Sequence, residues 1–261
     1  MSPDYITFLY QAGGDQWADE GMRINIDSNL ALECFEKMCN MFTQYSIPYA
    51  YDFSNRFRTG EMPVGVGDYC GTYNTLTVFA TEIRGLWGLS VLPGTVDADG
   101  NVNHVCVTGC SGIIMMHGAK HLEGGWEFMK WYTDTYFQSQ FANELTALVG
   151  PAAKMATANR EAITQMTWTS EELEAILDQF DSLATIMNYP GNYIIGRYTS
   201  FAFAAAYNNG EDPVEALLQY IPLINKEISR KRKEFGLETL ELGQTLAEKR
   251  AEEAAAAEKN G

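Results

Sequence analysis

The sequence predicts an α/β protein. Two observations carry that expectation. Segments with apolar residues at helical 3–4 spacing alternate with short apolar runs bounded by Gly, Pro or Asn, as strands are. The composition is that of a globular chain, with 261 residues, 46% hydrophobic and 20% charged, enough for one large domain or two small ones.

In chain order, residues 1–26 are short and mixed, with a turn at Gly13-Gly14. A helix is expected from Asp27 or Ser28 to Tyr45. Phe35, Met38, Phe42 and Tyr45 share one face behind an Asp/Ser cap, and Ile47-Pro48 ends the helix. Strands are expected at Met62–Val66, at 86–94 (LWGLSVLPG), near 104–107 and at 112–116, with a turn from Asp97 to Asn101. The segment 121–137 predicts an amphipathic helix carrying Leu122, Trp126, Met129 and Tyr136 on one side. A second amphipathic helix follows near 158–167. Thr169 and Glu172 form a capping-box pattern that opens a helix to about Met187. After a loop at 189–193, a helix covers about 198–208. Asp212-Pro213-Val214-Glu215 then starts a long helix with Leu217, Ile221, Ile224 and Ile228 inward and Gly236 as its C-cap. Residues 237–261, dominated by Ala, Glu and Lys, predict an exposed helix or a frayed tail.

Charge narrows the function classes. The net charge of -16, with no concentrated basic face, argues against nucleic acid and against anionic membrane surfaces. It fits a soluble protein binding neutral or cationic ligands. No stretch has the apolar length of a membrane span, and no signal peptide follows Met1, which taken literally means cytoplasm and is equally consistent with a chain missing its start. The five cysteines form no C-x-x-C and are expected to be mostly buried thiols.

The stretch 57–74, FRTGEMPVGVGDYCGTYN, at first resembles a phosphate loop. Gly65, Gly67 and Gly71 give G-x-G-x-x-x-G, which is not the dinucleotide fingerprint, and no Lys-Ser or Lys-Thr pair follows. Thr72, Tyr73, Asn74, Thr75 and Thr77 are poor helix starters, so a strand ending in a close turn is expected, with Tyr69 and Tyr73 at its exit. His117 and His121 are spaced i, i+4, but Gly118 stands where a zincin needs Glu. Ser111 lies in Gly-Cys-Ser-Gly, not in a nucleophile elbow, and no carboxylate pair stands out for glycoside chemistry. No catalytic residue, metal or cofactor is therefore expected. Aromatic residues are core by default, but Tyr69, Tyr73, Tyr193, Tyr198 and Trp17 sit in glycine-rich turns. A ring presented there can stack on the C–H face of a sugar.

Several segments, in order, resemble the extracellular solute-binding proteins of ABC importers, in the sugar-binding group that includes maltose-binding protein. They are the glycine loop before Asp27-Ser28-Asn29, Phe57-x-x-Gly60-Glu61-Met62, and Trp87-Gly88 to Leu92-Pro93-Gly94. Further along come Gly109 to Ile114, Ala119-Lys120, Gly125 to Trp131, Gly150-Pro151-Ala152-Ala153, and Asn209-Gly210 with Asp212 to Leu217. Each motif is weak alone, and their order from about 5 to 236 makes the match. It covers the later portion of the family's chain.

The resemblance implies a periplasmic-binding-protein-like fold of two α/β lobes closing on a ligand, here incomplete. By it, 1–94 and 158–236 belong mainly to the second lobe, 95–157 returns to the first, and 237–261 is a tail. It implies a sugar or oligosaccharide ligand, ABC permease subunits as partners, and an extracytoplasmic intact protein held at the membrane only through an anchor absent here. The ligand contacts it implies are Tyr69 and Tyr73, with Asp68 as hydroxyl acceptor, then Arg197, Tyr198 and Ser111, with Trp17 added from the glycine loop. A glycoside-active enzyme and a helical interaction module that uses the tail stand as alternatives.

Overall fold

The computed structural model describes residues 5–97, 99–241 and 243–259. Residues 1–4, on which the signal-peptide expectation rests, lie outside the described residues, as do Asn260 and Gly261 of the tail.

The elements in order are α1 (Tyr5–Gln11), β1 (Trp17–Ala18), β2 (Arg23–Ile24), α2 (Asn29–Thr43), α3 (Phe53–Arg58) and α4 (Tyr69–Phe79). Next come β3 (Thr95–Val96), β4 (Val102–Asn103), β5 (Cys106–Val107), α5 (Leu122–Thr133), α6 (Thr135–Val149), α7 (Arg160–Thr164), α8 (Ser170–Phe180) and β6 (Leu183–Ala184). The chain finishes with α9 (Tyr193–Asn209), α10 (Pro213–Leu218), α11 (Ile221–Glu234) and α12 (Leu246–Lys259). The strands form three two-stranded ladders, β1–β2, β3–β4 and β5–β6. The first two are antiparallel, pairing Trp17 with Ile24 and Thr95 with Asn103. Helix dominates.

Contacts divide the chain into two compact units. The first holds Ala50–Pro93 and His104–Leu183, and the second holds the described residues of Ser2–Tyr49, Gly94–Asn103 and Ala184–Gly261. The border at Pro93-Gly94 lies within one residue of the segment border at 94 that the resemblance implies, and the borders after Tyr49, Asn103 and Leu183 have no counterpart in it.

The core of the second unit gathers Leu9, Ile24, Ile26, Phe35, Leu217, Ile224 and Ile228, all with 0–1% exposure. Ser28 caps α2 by accepting the Ala31 N–H, as its sequence position implies. Phe35, Met38 and Phe42 are buried, whereas Tyr45 lies past the helix end and is exposed. The long helix expected from Pro213 is two helices. Pro222 occupies the first turn of α11, where its missing N–H is harmless, and the chain turns at Gln219-Tyr220 just before it. Asn225 of α11 accepts the Ile24 N–H at 2.9 Å and ties that helix to the β1–β2 hairpin.

The tail is anchored. Buried Arg232 donates to the carbonyls of Glu238 (2.6 Å) and Gly21 (3.3 Å), and Leu240 and Leu246 pack on Met22. Arg250 pairs with Glu20 at 3.0 Å. Of the two expectations for the tail the helix is present as α12, and its ties to Glu20, Gly21 and Met22 join positions more than 200 residues apart, which the local pattern of the tail does not report.

In the first unit, α5 ends at Thr133 and α6 starts after Asp134, whose carboxylate accepts the N–H groups of Tyr136 and Phe137. The single helix expected over 121–137 is therefore broken by a second cap. Leu122, Trp126 and Tyr136, expected on one side of the helix, are 54, 53 and 70% exposed. Among the described residues nothing covers that side.

Three expected strands are extended chain without a ladder. At 62–66, Pro63 lacks an N–H, and Gly65 runs directly over the Phe53 ring, where a Cβ would collide. At 86–94, side chains replace the strand partner. Leu92 N–H donates to Gln179 Oε1 at 2.7 Å, and Leu92 O accepts from His104 Nδ1 at 2.7 Å. At 112–116, Ile114 and Met116 are exposed and no strand forms.

All five cysteines are free thiols. Cys34, Cys39 and Cys70 are buried, Cys106 is half-buried and Cys110 is exposed. Burial first, and nearby carboxylates second, push the Cys39 and Cys70 thiols up to about 12. In native protein at pH 8, an aromatic disulfide reagent should label Cys110 first, with Cys39 and Cys70 slower by about two orders of magnitude or more. Equal rapid labelling of all five would contradict the fold.

Candidate functional site

The stretch 57–74 lies in the first unit and runs from α3 through extended chain into α4, not as the sequence predicts. The residues after the glycines open a helix, α4, rather than a turn. Asp68 is its N-cap, accepting the Gly71 N–H. The threonines that weigh against a helix are absorbed by it. Thr75 and Thr77 donate their hydroxyls to the carbonyls of Gly71 and Tyr73, both at 2.8 Å. The Asp68 carboxylate, expected to meet a ligand hydroxyl, is thus engaged in holding the helix.

The cap fixes the register of the two tyrosines. Tyr69 and Tyr73 stand one turn apart on one face of α4. Both rings contact Trp168, with centroids 6.0 and 5.3 Å away, and Tyr73 also meets Trp87 edge-on at 5.3 Å. Trp87 continues to Phe57 at 6.5 Å and Phe57 to Phe53 at 5.2 Å. Six aromatic side chains therefore form one connected row within the unit. The rings of Tyr69, Tyr73, Trp87 and Trp168 are each half-buried. Tyr73 meets Trp87 and Trp168 edge-on, at 68° and 80°, and Tyr69 is tilted by 46° to Trp168, so none of these pairs is stacked face to face.

Lysine completes the cluster. Lys154 Nζ lies 4.3 Å from the Trp168 ring centre and 5.7 Å from that of Tyr73. Its backbone is clamped by Asn74 on α4, whose Nδ2 donates to Lys154 O at 2.8 Å and whose Oδ1 accepts the Lys154 N–H at 3.0 Å. Glu172 borders the cluster and is held in place by the capping box of α8, accepting the Thr169 N–H at 3.0 Å.

The electrostatics follow from burial. Burial first, then the negative charge of Glu172 nearby, pushes the Tyr73 phenol up to about 12. Burial likewise raises Tyr69. Burial lowers the Lys154 ammonium, against the opposing pull of Glu172 and the Cys70 thiol. The Trp168 indole Nε1 is buried and has no hydrogen-bond partner among the described residues.

The other expected contacts lie elsewhere. Ser111 is exposed in the coil between β5 and α5 of the same unit. Trp17, Arg197 and Tyr198 belong to the second unit. Trp17 is 8% exposed and packs edge-on against Tyr189 at 5.3 Å, inside the core rather than on a turn's surface. Arg197 is exposed on α9. Tyr198 stacks on Tyr220 at 5.1 Å, and Tyr220 lines an open cavity of about 330 Å³ with Phe201, Asn208, Asn209, Glu211 and Gln219.

Sequence reasoning missed Trp87, Trp168, Lys154 and Asn74 as members of the cluster. Faint signals existed. Trp168 immediately precedes the Thr169 capping box, and Lys154 closes the Gly150-Pro151-Ala152-Ala153 segment. Neither signal points to Tyr73. Among the described residues, no group of three or more His, Cys, Asp or Glu side chains is placed to hold a metal ion. No helix among them is long and apolar enough to cross a membrane.

No protein-family model matches the chain, and no curated protein sequence matches it. Solved structures do. An ABC transporter solute binding protein from Thermotoga lettingae, bound with alpha-D-tagatose, is similar with a TM-score of 0.66 and 16% identity. The match covers 86% of this chain and 55% of that one. An ABC substrate-binding protein from Listeria monocytogenes in complex with cycloalternan is similar with a TM-score of 0.53 and 16% identity, over 90% of this chain and 56% of that one. The chain thus spans a little over half the length of each. At this identity the likeness shows the fold, which is α/β and periplasmic-binding-protein-like over the part the chain covers.

Proposed function

We propose that this chain is the carbohydrate-recognising part of an extracytoplasmic ABC-importer subunit that delivers its ligand to permease subunits. The observation that carries the proposal is the aromatic row around Tyr73 and Trp168, set on a fold shared with two sugar-bound solute-binding proteins. In the proposed role the half-buried rings stack on the C–H faces of a sugar. No covalent step is required, and the proposed role is not catalytic. Ser111, Arg197 and Tyr198 remain proposed contacts in the intact protein. Trp17, buried in the core, and Asp68, spent on its helix cap, are left out.

Saccharide titrations of the 261-residue chain by calorimetry test the proposal. Saturable binding is expected, and Tyr73→Ala should raise Kd by about tenfold or more. Tyr69→Ala should act in the same direction. Binding that survives both substitutions unchanged would remove the aromatic row from the site. Turnover of chromogenic glycosides would overturn the non-catalytic role.

A further inference from the structure

We infer that Lys154, positioned by Asn74, selects for a saccharide carrying an anionic group over its neutral counterpart. The inference rests on the carbohydrate-binding proposal above and names the ligand class of the same site.

Lys154 is half-buried and its ammonium meets two aromatic rings, 4.3 and 5.7 Å from their centres. Among the described residues it has no carboxylate within ion-pair distance and no hydrogen-bond acceptor at Nζ. The nearby carboxylate, Glu172, accepts the Thr169 N–H and attracts the ammonium from beyond ion-pair distance. A cation drawn part-way out of water without an acceptor keeps an unmet demand for one. Ring faces offset part of that demand, but their attraction is weaker than a charge-assisted hydrogen bond.

The clamp makes this a placed group rather than a loose surface lysine. Asn74 uses both its donor and its acceptor on the backbone of Lys154, 80 residues away. It also stands next to Tyr73 on α4, so ring and cation are set by one helix turn. A sugar stacked on the aromatic row would therefore bring a substituent toward the ammonium. A carboxylate or a phosphoryl group supplies the missing acceptor with opposite charge, whereas a hydroxyl supplies it without charge.

The overall charge of -16 does not forbid an anionic ligand. At physiological ionic strength, exposed charges farther than about 8 Å are largely screened, while a half-buried cation in contact is screened far less.

The test is calorimetric titration of the full chain with glucose, glucuronate and glucose 6-phosphate at physiological salt. Glucuronate, glucose 6-phosphate or both should bind at least about tenfold tighter than glucose. The two charged arms separate a carboxylate ligand from a phosphorylated one. Lys154→Met should bring the charged sugars to within about threefold of glucose, and Lys154→Arg should keep most of the preference. Asn74→Ala should shrink it with Lys154 still present. Equal binding of all three sugars, or a preference unchanged in Lys154→Met, overturns the inference. If Tyr73→Ala still weakens those neutral and charged sugars alike, the carbohydrate proposal survives that failure. A chain that binds none of the three, and no other sugar of the panel, overturns both.

Discussion

Gly191→Ala is expected to destabilise the second unit by about 3 kcal/mol, lowering its thermal midpoint by roughly 10 °C. Two independent penalties add. Gly191 has φ +94°, a region that favours glycine, and an L-residue there is strained by about 1–3 kcal/mol. An added Cβ would also lie 2.9 Å from Ile228 Cα and 3.3 Å from Ile228 N. Those are backbone atoms of α11, and they cannot rotate away as a side chain can. Overpacking against such a wall costs a further ~1–3 kcal/mol. Calorimetric or circular-dichroism melting checks the prediction. Gly210→Ala is the control, because Gly210 also has a positive φ, +70°, but a Cβ there meets nothing within 4 Å. The difference between the two variants isolates the collision. Melting of the two variants at the same temperature would mean that Gly191 does not press on α11.

Leu217→Ala is expected to remove about 3 kcal/mol, within the range of about 2–5 kcal/mol typical of buried leucine truncations. Leu217 has 0% exposure in the core that α2, α9, α10 and α11 build together. Its neighbour Leu218 is 40% exposed, and Leu218→Ala should stay within about 0.5 kcal/mol of the parent. Denaturant midpoints of the pair, read with equal slopes, check it. Similar losses at both positions would place the helix face wrongly.

Much of the helical part is legible along the chain. Ser28, Thr169 and Asp212 each cap the helix they precede, and each accepts the N–H three residues on. Such bonds close over three or four residues, so the pattern needs no distant partner. The helix at Tyr69 was missed by the same local logic. Threonines counted against it, yet their hydroxyls bond within the helix, and the capping role of Asp68 outweighed their propensity. The strands were overread because a strand is not a local object. Apolar runs at 62–66, 86–94 and 112–116 show which segments favour extended backbone. Whether a ladder forms depends on what lies alongside, and Leu92 finds Gln179 and His104 instead.

The candidate site divides along the same line. Tyr69 and Tyr73 stood out in the sequence because they follow glycines, and they do share one face. Trp87, Lys154 and Trp168 carried no such mark. Their meeting with Tyr73 spans up to 95 positions of chain, and nothing in the spacing of residues reports a contact at that separation. The caps at Ser28, Thr169 and Asp212 and the inward faces of α2 and α11 can be read from the chain alone. Those properties depend on neighbours within about one helix turn. Which rings meet, that Asn74 holds Lys154 against them, and that Trp17 turns inward to the core follow from the folded arrangement. Ring stacking, cation placement and burial act across space, between groups the chain brings together only when folded.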